Sequence, residues 1–233
     1  KLGGSYGHKR DRFWGACGSS TWLDPAILKY VLDEISTEAG VKLLFHSFIT
    51  GAVAEKEVIT GIAVESKSGR QILAGKIVID ATGDGDVAAS AGAPYEKGGK
   101  DGRMMQVSLF TRVGNVQRNK TIEYIRKNPE DFMISEDPYL NMSRYQVASR
   151  MVDFSEAPEV GGFFSLVKAA VKKGEMHDFS PRKGVNLLIS PIEGEVIAYG
   201  TNVVGVDATN AWDLSSAEVA LRRQAFILMD FLK

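Results

Sequence analysis

The sequence predicts a mixed α/β chain in two parts: an α/β part organised around a β-meander crossover, then an α+β part. Three observations carry that prediction. A capped amphipathic helix pattern runs from Asp24 to Gly40 and leads into several short strand patterns. The apolar run Ile77-Val78-Ile79 ends in the glycine turn Asp80-Ala81-Thr82-Gly83-Asp84-Gly85-Asp86. After Ala91 the texture changes to polar loops, alternating strands and separate helices.

Composition narrows the classes of function. The 233 residues, 44% of them hydrophobic, are enough to bury a core and fit one domain or two small ones. A net charge of −1, from 28 Lys+Arg against 29 Asp+Glu, gives no field that draws the chain to nucleic acid or an anionic membrane. Small molecules or protein are the expected partners, and the oligomeric state is not fixed by the sequence. No apolar run reaches the about 20 residues of a bilayer span. The single Cys17 cannot form an internal disulfide, which points to a cytoplasmic setting. The start, Lys1-Leu2-Gly3-Gly4-Ser5-Tyr6-Gly7-His8, has neither an initiator Met nor a signal-peptide core, and the last helical pattern is still running at Lys233, so both ends read as cut from a longer chain.

In the first helix Asp24 caps free N–H groups, Pro25 suits the first turn, and Leu23 is placed to staple onto Leu28. Ile27, Leu28, Val31, Leu32 and Ile35 form its apolar face and Gly40 stops it. Val41 to Phe48, Gly51 to Ala54 and Val58 to Glu65 read as strands, with a hairpin turn at Ser66 to Arg70 and a returning strand from Gln71 to Ala74. Ile77-Val78-Ile79 has the continuous apolarity of a strand covered on both faces in a largely parallel sheet. The second part holds an alternating strand from Met105 to Val113, helices at Gln117 to Lys127 and Phe163 to Lys173, and strands around Val185 to Ile189 and Val196 to Val204. Ser215-Ser216-Ala217-Glu218 has the form of a capping box, and Ala217, Ala220, Leu221, Ala225, Leu228 and Leu232 give the last helix a buried stripe.

The turn at residues 80–86 is the best candidate site. A strand that ends here delivers its turn to the carboxyl edge of a sheet, where ligands of open α/β folds bind. Ala81 and Gly83 lack bulk, so a flat or phosphorylated ligand can approach the backbone; Thr82 can donate a hydrogen bond or steady the turn, and Asp84 or Asp86 can cap the next helix. The same residues also suit a plain strand-to-helix turn. Gly83-Asp84-Gly85-Asp86-Val87-Ala88 formally fits the G-x-G-x-x-A form of a dinucleotide fingerprint, but no second parallel strand with an acidic residue follows, so a nicotinamide-binding dehydrogenase is the second reading. A calcium loop from Asp80 needs Glu where Ala91 stands, and a phosphate-binding P-loop needs Ser or Thr where Asp101 follows Gly99-Lys100.

With this order of elements in view, residues 22–95 closely resemble the FAD-dependent oxidoreductases whose flavin domain is of the glutathione-reductase and fumarate-reductase type. The matching residues are Asp24 to Glu34, Ala39-Gly40-Val41, Thr60-Gly61-Ile62, Val78 to Asp86 and Ala91-Gly92-Ala93; the tail Gly205 to Leu214 with Ala217-Glu218 and Arg222-Arg223-Gln224 resembles the same family. The resemblance implies part of a three-layer, Rossmann-like FAD-binding domain over residues 1–95, an α+β substrate or cap domain over 96–205, and a return helix over 206–233. It implies that Ala81, Thr82, Gly83 and Asp84 lie against the adenosine side of FAD, and that backbone near Ala52 and Val53 meets the adenine edge. The family's opening strand with its GxGxxG loop and its flavin-closing C-terminal segment have no counterpart in this sequence, which implies an FAD site completed by other polypeptide. The implied activity is oxidoreduction of a small molecule; a non-enzymatic interaction domain stays open as the alternative.

No catalytic side chain announces itself, since in flavoenzymes the isoalloxazine carries the electrons and the protein orients and tunes it. His8, His46 and His177 are not at metal-ligand spacing, and His46, in Leu43-Leu44-Phe45-His46, reads as a structural residue of a strand. Cys17 reads as a small buried residue, with a redox thiol facing the flavin as the sharper alternative. Arg103, Arg112, Arg144 and Arg182 are candidates for binding a substrate carboxylate, set against ordinary surface arginines. Trp14, Trp22 and Trp212 are candidates for ligand stacking or for filling a core.

Overall fold

The structure is a computed structural model that describes residues 9–10, 19–20, 24–134, 141–149, 159–178, 184–190 and 192–233. The chain divides into two compact units, one of Val31–Gly102 and one of Lys1–Tyr30 with Arg103–Lys233. Strand β1 (Lys9–Arg10) pairs antiparallel with β2 (Ser19–Ser20). Helix α1 (Pro25–Glu38) begins where its cap predicts: Asp24 Oδ1 accepts from Ala26 N–H at 2.8 Å. It ends at Gly40, which turns left-handed with φ 73° while Val41 N–H reaches back to Ser36 O. Its apolar face is spaced as expected but not buried: Ile27 and Val31 are half-buried, and Leu28, Leu32 and Ile35 are exposed. Leu23 lies outside the described residues.

The unit Val31–Gly102 is built on an antiparallel meander of β3 (Phe48–Glu55), β4 (Val58–Ser66) and β5 (Gly69–Ala74), followed by the short helix α2 (Asp86–Ser90). Register is continuous between β4 and β5, whose hairpin closes with Ser66 opposite Gly69, as the turn residues predict. Gly61 is required by crowding, since a Cβ there would sit 2.5 Å from Leu73 O on the neighbouring strand. Between β3 and β4 the register shifts at Ile49/Gly51 and at Val53/Ala54.

Two expected strands are not formed. Residues 41–47 join no strand among the described residues, and Val41, Leu43, Leu44 and Phe45 are exposed. His46 precedes β3 in a left-handed conformation, φ 54°, and is exposed rather than part of a strand. Ile77 and Ile79 are 84% and 86% exposed, so the run read as a doubly covered strand is neither paired nor covered among the described residues. A strand exists only where a neighbour's backbone supplies the ladder, and apolarity by itself does not supply one. All strand pairings among the described residues are antiparallel.

In the larger unit, β6 (Thr111–Val113), α3 (Arg118–Lys127), a 3-10 turn at Pro129–Asp131, α4 (Arg144–Ser149), β7 (Glu159–Gly162), α5 (Phe164–Lys173), β8 (Val185–Ile189), β9 (Val196–Tyr199) and α6 (Ala211–Phe231) follow in order. The sheet order is β6-β9-β8-β7. Of the predicted strand from Met105 to Val113, only its end joins the sheet, with an isolated bridge between Val107 and Val203. Ile122 and Ile125 of α3, Val167 of α5 and Leu228 of α6 pack with Val185 and Val196 of the sheet in one core. Tyr124, Phe132 and Phe163 add an aromatic cluster with ring centroids 4.8–5.9 Å apart.

The last helix starts four residues before its predicted cap. Asn210 is the N-cap, with Oδ1 accepting from Trp212 and Asp213 N–H, while Ser215 lies inside the helix and bonds back to Ala211 O. Its stripe is as predicted: Ala217, Leu221, Ala225 and Leu228 are buried, and Ala220 and Leu232 half-buried.

Candidate functional site

The turn that follows Ile79 is organised by a carboxylate. Asp80 Oδ1 accepts from both the N–H (3.0 Å) and the hydroxyl (2.7 Å) of Thr82, and Oδ2 accepts from Ala88 N–H in α2 at 2.9 Å. These bonds, led by the one from Ala88 and followed by the Thr82 hydroxyl, hold the Asp80 carboxyl below its ordinary range. Thr82 steadies the turn, because its Oγ1 donates to Asp80 and accepts from Asp86 N–H at 2.9 Å. The helix cap is therefore supplied by Asp80 and Thr82 rather than by Asp84 or Asp86; the N-cap position is Gly85, left-handed at φ 75° with no side-chain cap of its own.

With the polar side chains at its base turned inward, the turn leaves its outer backbone clear. Ala81, Gly83 and Asp84 are exposed and Thr82 is half-buried. Gly83 takes φ 97°, and a Cβ added there would meet nothing within 4 Å. An open main-chain cradle of this kind suits the close approach of a flat or phosphorylated ligand, so these residues fit a dinucleotide cofactor.

Ala52 and Val53 lie in β3 opposite Ile62 and Gly61. The structure links them to the turn through Ser90, the last residue of α2, whose Oγ accepts from Ala52 N–H at 2.5 Å. Sequence reasoning missed both Asp80 as the organising residue and Ser90 altogether. The Asp-x-Thr spacing is a local turn signal that points to Asp80. Nothing local points to Ser90, which acts 38 residues from its partner.

The larger unit holds a second polar cluster. Glu195 receives a two-pronged bond from Arg112 (Nε–Oε1 3.1 Å, Nη2–Oε2 2.7 Å) and a 2.6 Å bond from the Ser190 hydroxyl. Arg112 first and Ser190 second lower the Glu195 carboxyl, and Glu195 in turn raises the already high Arg112. Arg118, which the sequence reading passed over, donates through Nη2 to the carbonyls of Ser190, Ile192 and Glu195 at 2.7–3.0 Å. Arg112 is thus committed within the protein rather than held out for a carboxylate substrate. Arg144 opens α4 and is half-buried, and Arg103 is exposed. Trp212 is 83% exposed. His177 is exposed beyond α5. His8, Trp14, Cys17, Trp22 and Arg182 lie outside the described residues. Among the described residues no group of His, Cys, Asp and Glu is arranged to hold a metal ion, and no helix is long and apolar enough to cross a membrane.

No curated protein and no solved structure matches the chain. The sequence model of the FAD dependent oxidoreductase family matches residues 3–233, nearly the whole length, in agreement with the turn chemistry and the meander that precedes it. The chain belongs to the FAD dependent oxidoreductase family, and its cofactor is FAD.

Proposed function

We propose that this chain serves the oxidation or reduction of a small molecule by bound FAD, and that Ala52, Val53, Ala81, Thr82, Gly83 and Asp84 hold the adenosine end of the cofactor. The observation that carries this reading is the turn itself: Asp80 and Thr82 fold their polar groups inward, and the main chain from Ala81 to Asp84 stands open around a glycine at φ 97°. When bound, the flavin ring supplies the hydride or electron transfer. The residues named here bind and orient the end of FAD remote from that ring. They set affinity rather than reaction type.

On the same reading, residues 1–95 belong to a Rossmann-like FAD-binding domain and 96–205 to a substrate or cap domain, with 206–233 returning to the first. The single cysteine in the sequence supports a reducing, cytoplasmic setting.

The test is a flavin spectrum and an FAD titration of the full-length protein. Bound or bindable FAD with the absorbance of an oxidised flavin is the expected result. Failure to bind FAD sinks the proposal, and binding of a nicotinamide dinucleotide in its place, lost on Gly83→Val, transfers the turn to a dehydrogenase.

A further inference from the structure

The bond from Ala52 N–H to Ser90 Oγ joins an edge strand to the end of a short helix. Among the described residues β3 pairs with β4 on one side only, so an outward N–H of β3 has no strand there to bond, and the Ser90 hydroxyl takes that place. The approach is close because position 51 is glycine. A Cβ on Gly51 would stand 3.2 Å from Ser90 Oγ and push the hydroxyl outward. At its other end the same helix is tied to the candidate turn, through Asp86 N–H to Thr82 and Ala88 N–H to Asp80. Helix α2 has five residues, too few to absorb a displacement by bending, so a shift at Ser90 moves the turn.

We propose that Ser90 is a positioning residue of the cofactor site: by holding Ala52 N–H it sets the spacing between the β3 main chain at Ala52-Val53 and the turn Ala81 to Asp84. This rests on the reading that those two segments hold the adenosine end of FAD. It adds that their separation is fixed by one hydroxyl, and that Gly51 is small so that the hydroxyl can reach.

The test compares FAD and ADP affinities of the full-length protein and its variants, with the spectrum and reduction potential of the bound flavin as controls. Ser90→Ala is expected to weaken FAD and ADP by the same factor, about threefold to tenfold for the loss of one hydrogen bond. Spectrum and potential stay unchanged, because the reacting ring is not held here. Ser90→Thr, which keeps the hydroxyl, restores affinity, and Gly51→Ala, which keeps Ser90 but displaces it, weakens both ligands in the same direction. Wild-type affinity for both ligands in Ser90→Ala overturns the inference and leaves the cofactor site standing, as does a lower melting temperature of the ligand-free protein with affinity unchanged. Wild-type full-length protein that binds neither FAD nor ADP overturns the site and this inference together.

Discussion

Asp80 reaches eight residues ahead to take the Ala88 N–H at 2.9 Å with one carboxylate oxygen while the other takes two bonds from Thr82. One side chain thereby fixes both the shape of the turn and the start of α2. Asp80→Asn turns an amide N–H toward the donors on one side of the group and removes the charge that all three bonds favour. It is expected to weaken FAD binding by about tenfold, a loss measured by titration of the full-length protein. Asp80 is held below its ordinary pKa, so its contribution is fully present above the ordinary value and disappears as pH falls through the lowered one. Wild type and Asp80→Asn should accordingly differ in thermal stability at neutral pH and converge in acid, on a melting-temperature series from about pH 7 to pH 3. A constant difference across that range refutes the role given to the charge.

Gly83 stands at φ 97° with open space around it. An added Cβ therefore meets no clash, and the cost lies in the backbone. Gly83→Val is expected to lower stability by about 1–3 kcal/mol, as for a branched residue forced into a left-handed conformation. FAD affinity should fall further than that of a variant equally destabilised elsewhere. Chemical denaturation gives the first quantity and FAD titration the second; a stability loss with unchanged affinity favours an interaction domain over a cofactor site.

Asp131 is buried in the larger unit and accepts from Ser165 N–H (2.6 Å), the Ser165 hydroxyl (2.9 Å) and the Tyr124 hydroxyl (3.1 Å). It supplies α5 with the first-turn acceptor that the helix's own N-cap residue, Phe163, cannot. Asp131→Ala should cost about 1–3 kcal/mol by removing three hydrogen bonds, two of them from Ser165 in the first turn of α5, while Tyr124→Phe costs about 1 kcal/mol. Gly162→Ala tests the same region by crowding, since its Cβ would lie 2.1 Å from a Phe132 ring carbon and 2.7 Å from Asp131 O. Urea midpoints order the three, with Tyr124→Phe mildest. An equal effect of Tyr124→Phe and Asp131→Ala removes the case for the Ser165 bonds.

Arg118 bonds the carbonyls of Ser190, Ile192 and Glu195, and the Glu195 carboxylate bonds the Ser190 hydroxyl. Arg118→Ala frees three carbonyls at once and is expected to cost about 2–3 kcal/mol, and Arg118→Lys recovers only part because an ammonium lacks the planar fork. Glu195→Ala should destabilise more than Arg112→Ala: the Glu195 side chain is 15% exposed and serves two donors, and that of Arg112 is 64% exposed with Glu195 as the acceptor of both its bonds seen here. Glu195 is held below its ordinary pKa, so the difference is present at neutral pH and fades as pH falls through the lowered value. Thermal melts at pH 7 and in acid read both effects.

The sequence by itself determined the local structure and the cofactor class. Asp24 and Gly40 bound the first helix, and the Ser66 to Arg70 turn sets the hairpin. The spacing of Ala217, Leu221, Ala225 and Leu228 selects the buried face of the last helix, and the joint pattern of helix, meander and Ala81-Thr82-Gly83 turn resembles the FAD-dependent family. Each of these depends on neighbours within a turn or a hairpin, so the order of residues encodes it directly. The tertiary structure decided the rest. It bonds Ser90 to Ala52, bonds Asp131 to Ser165 34 residues on, commits Arg112 to Glu195, and leaves Val41 to Phe45 and Ile77 to Ile79 without a ladder among the described residues. A hydrogen bond between distant residues exists only once the chain between them has folded back, and an apolar run becomes a strand only where a second backbone lies alongside.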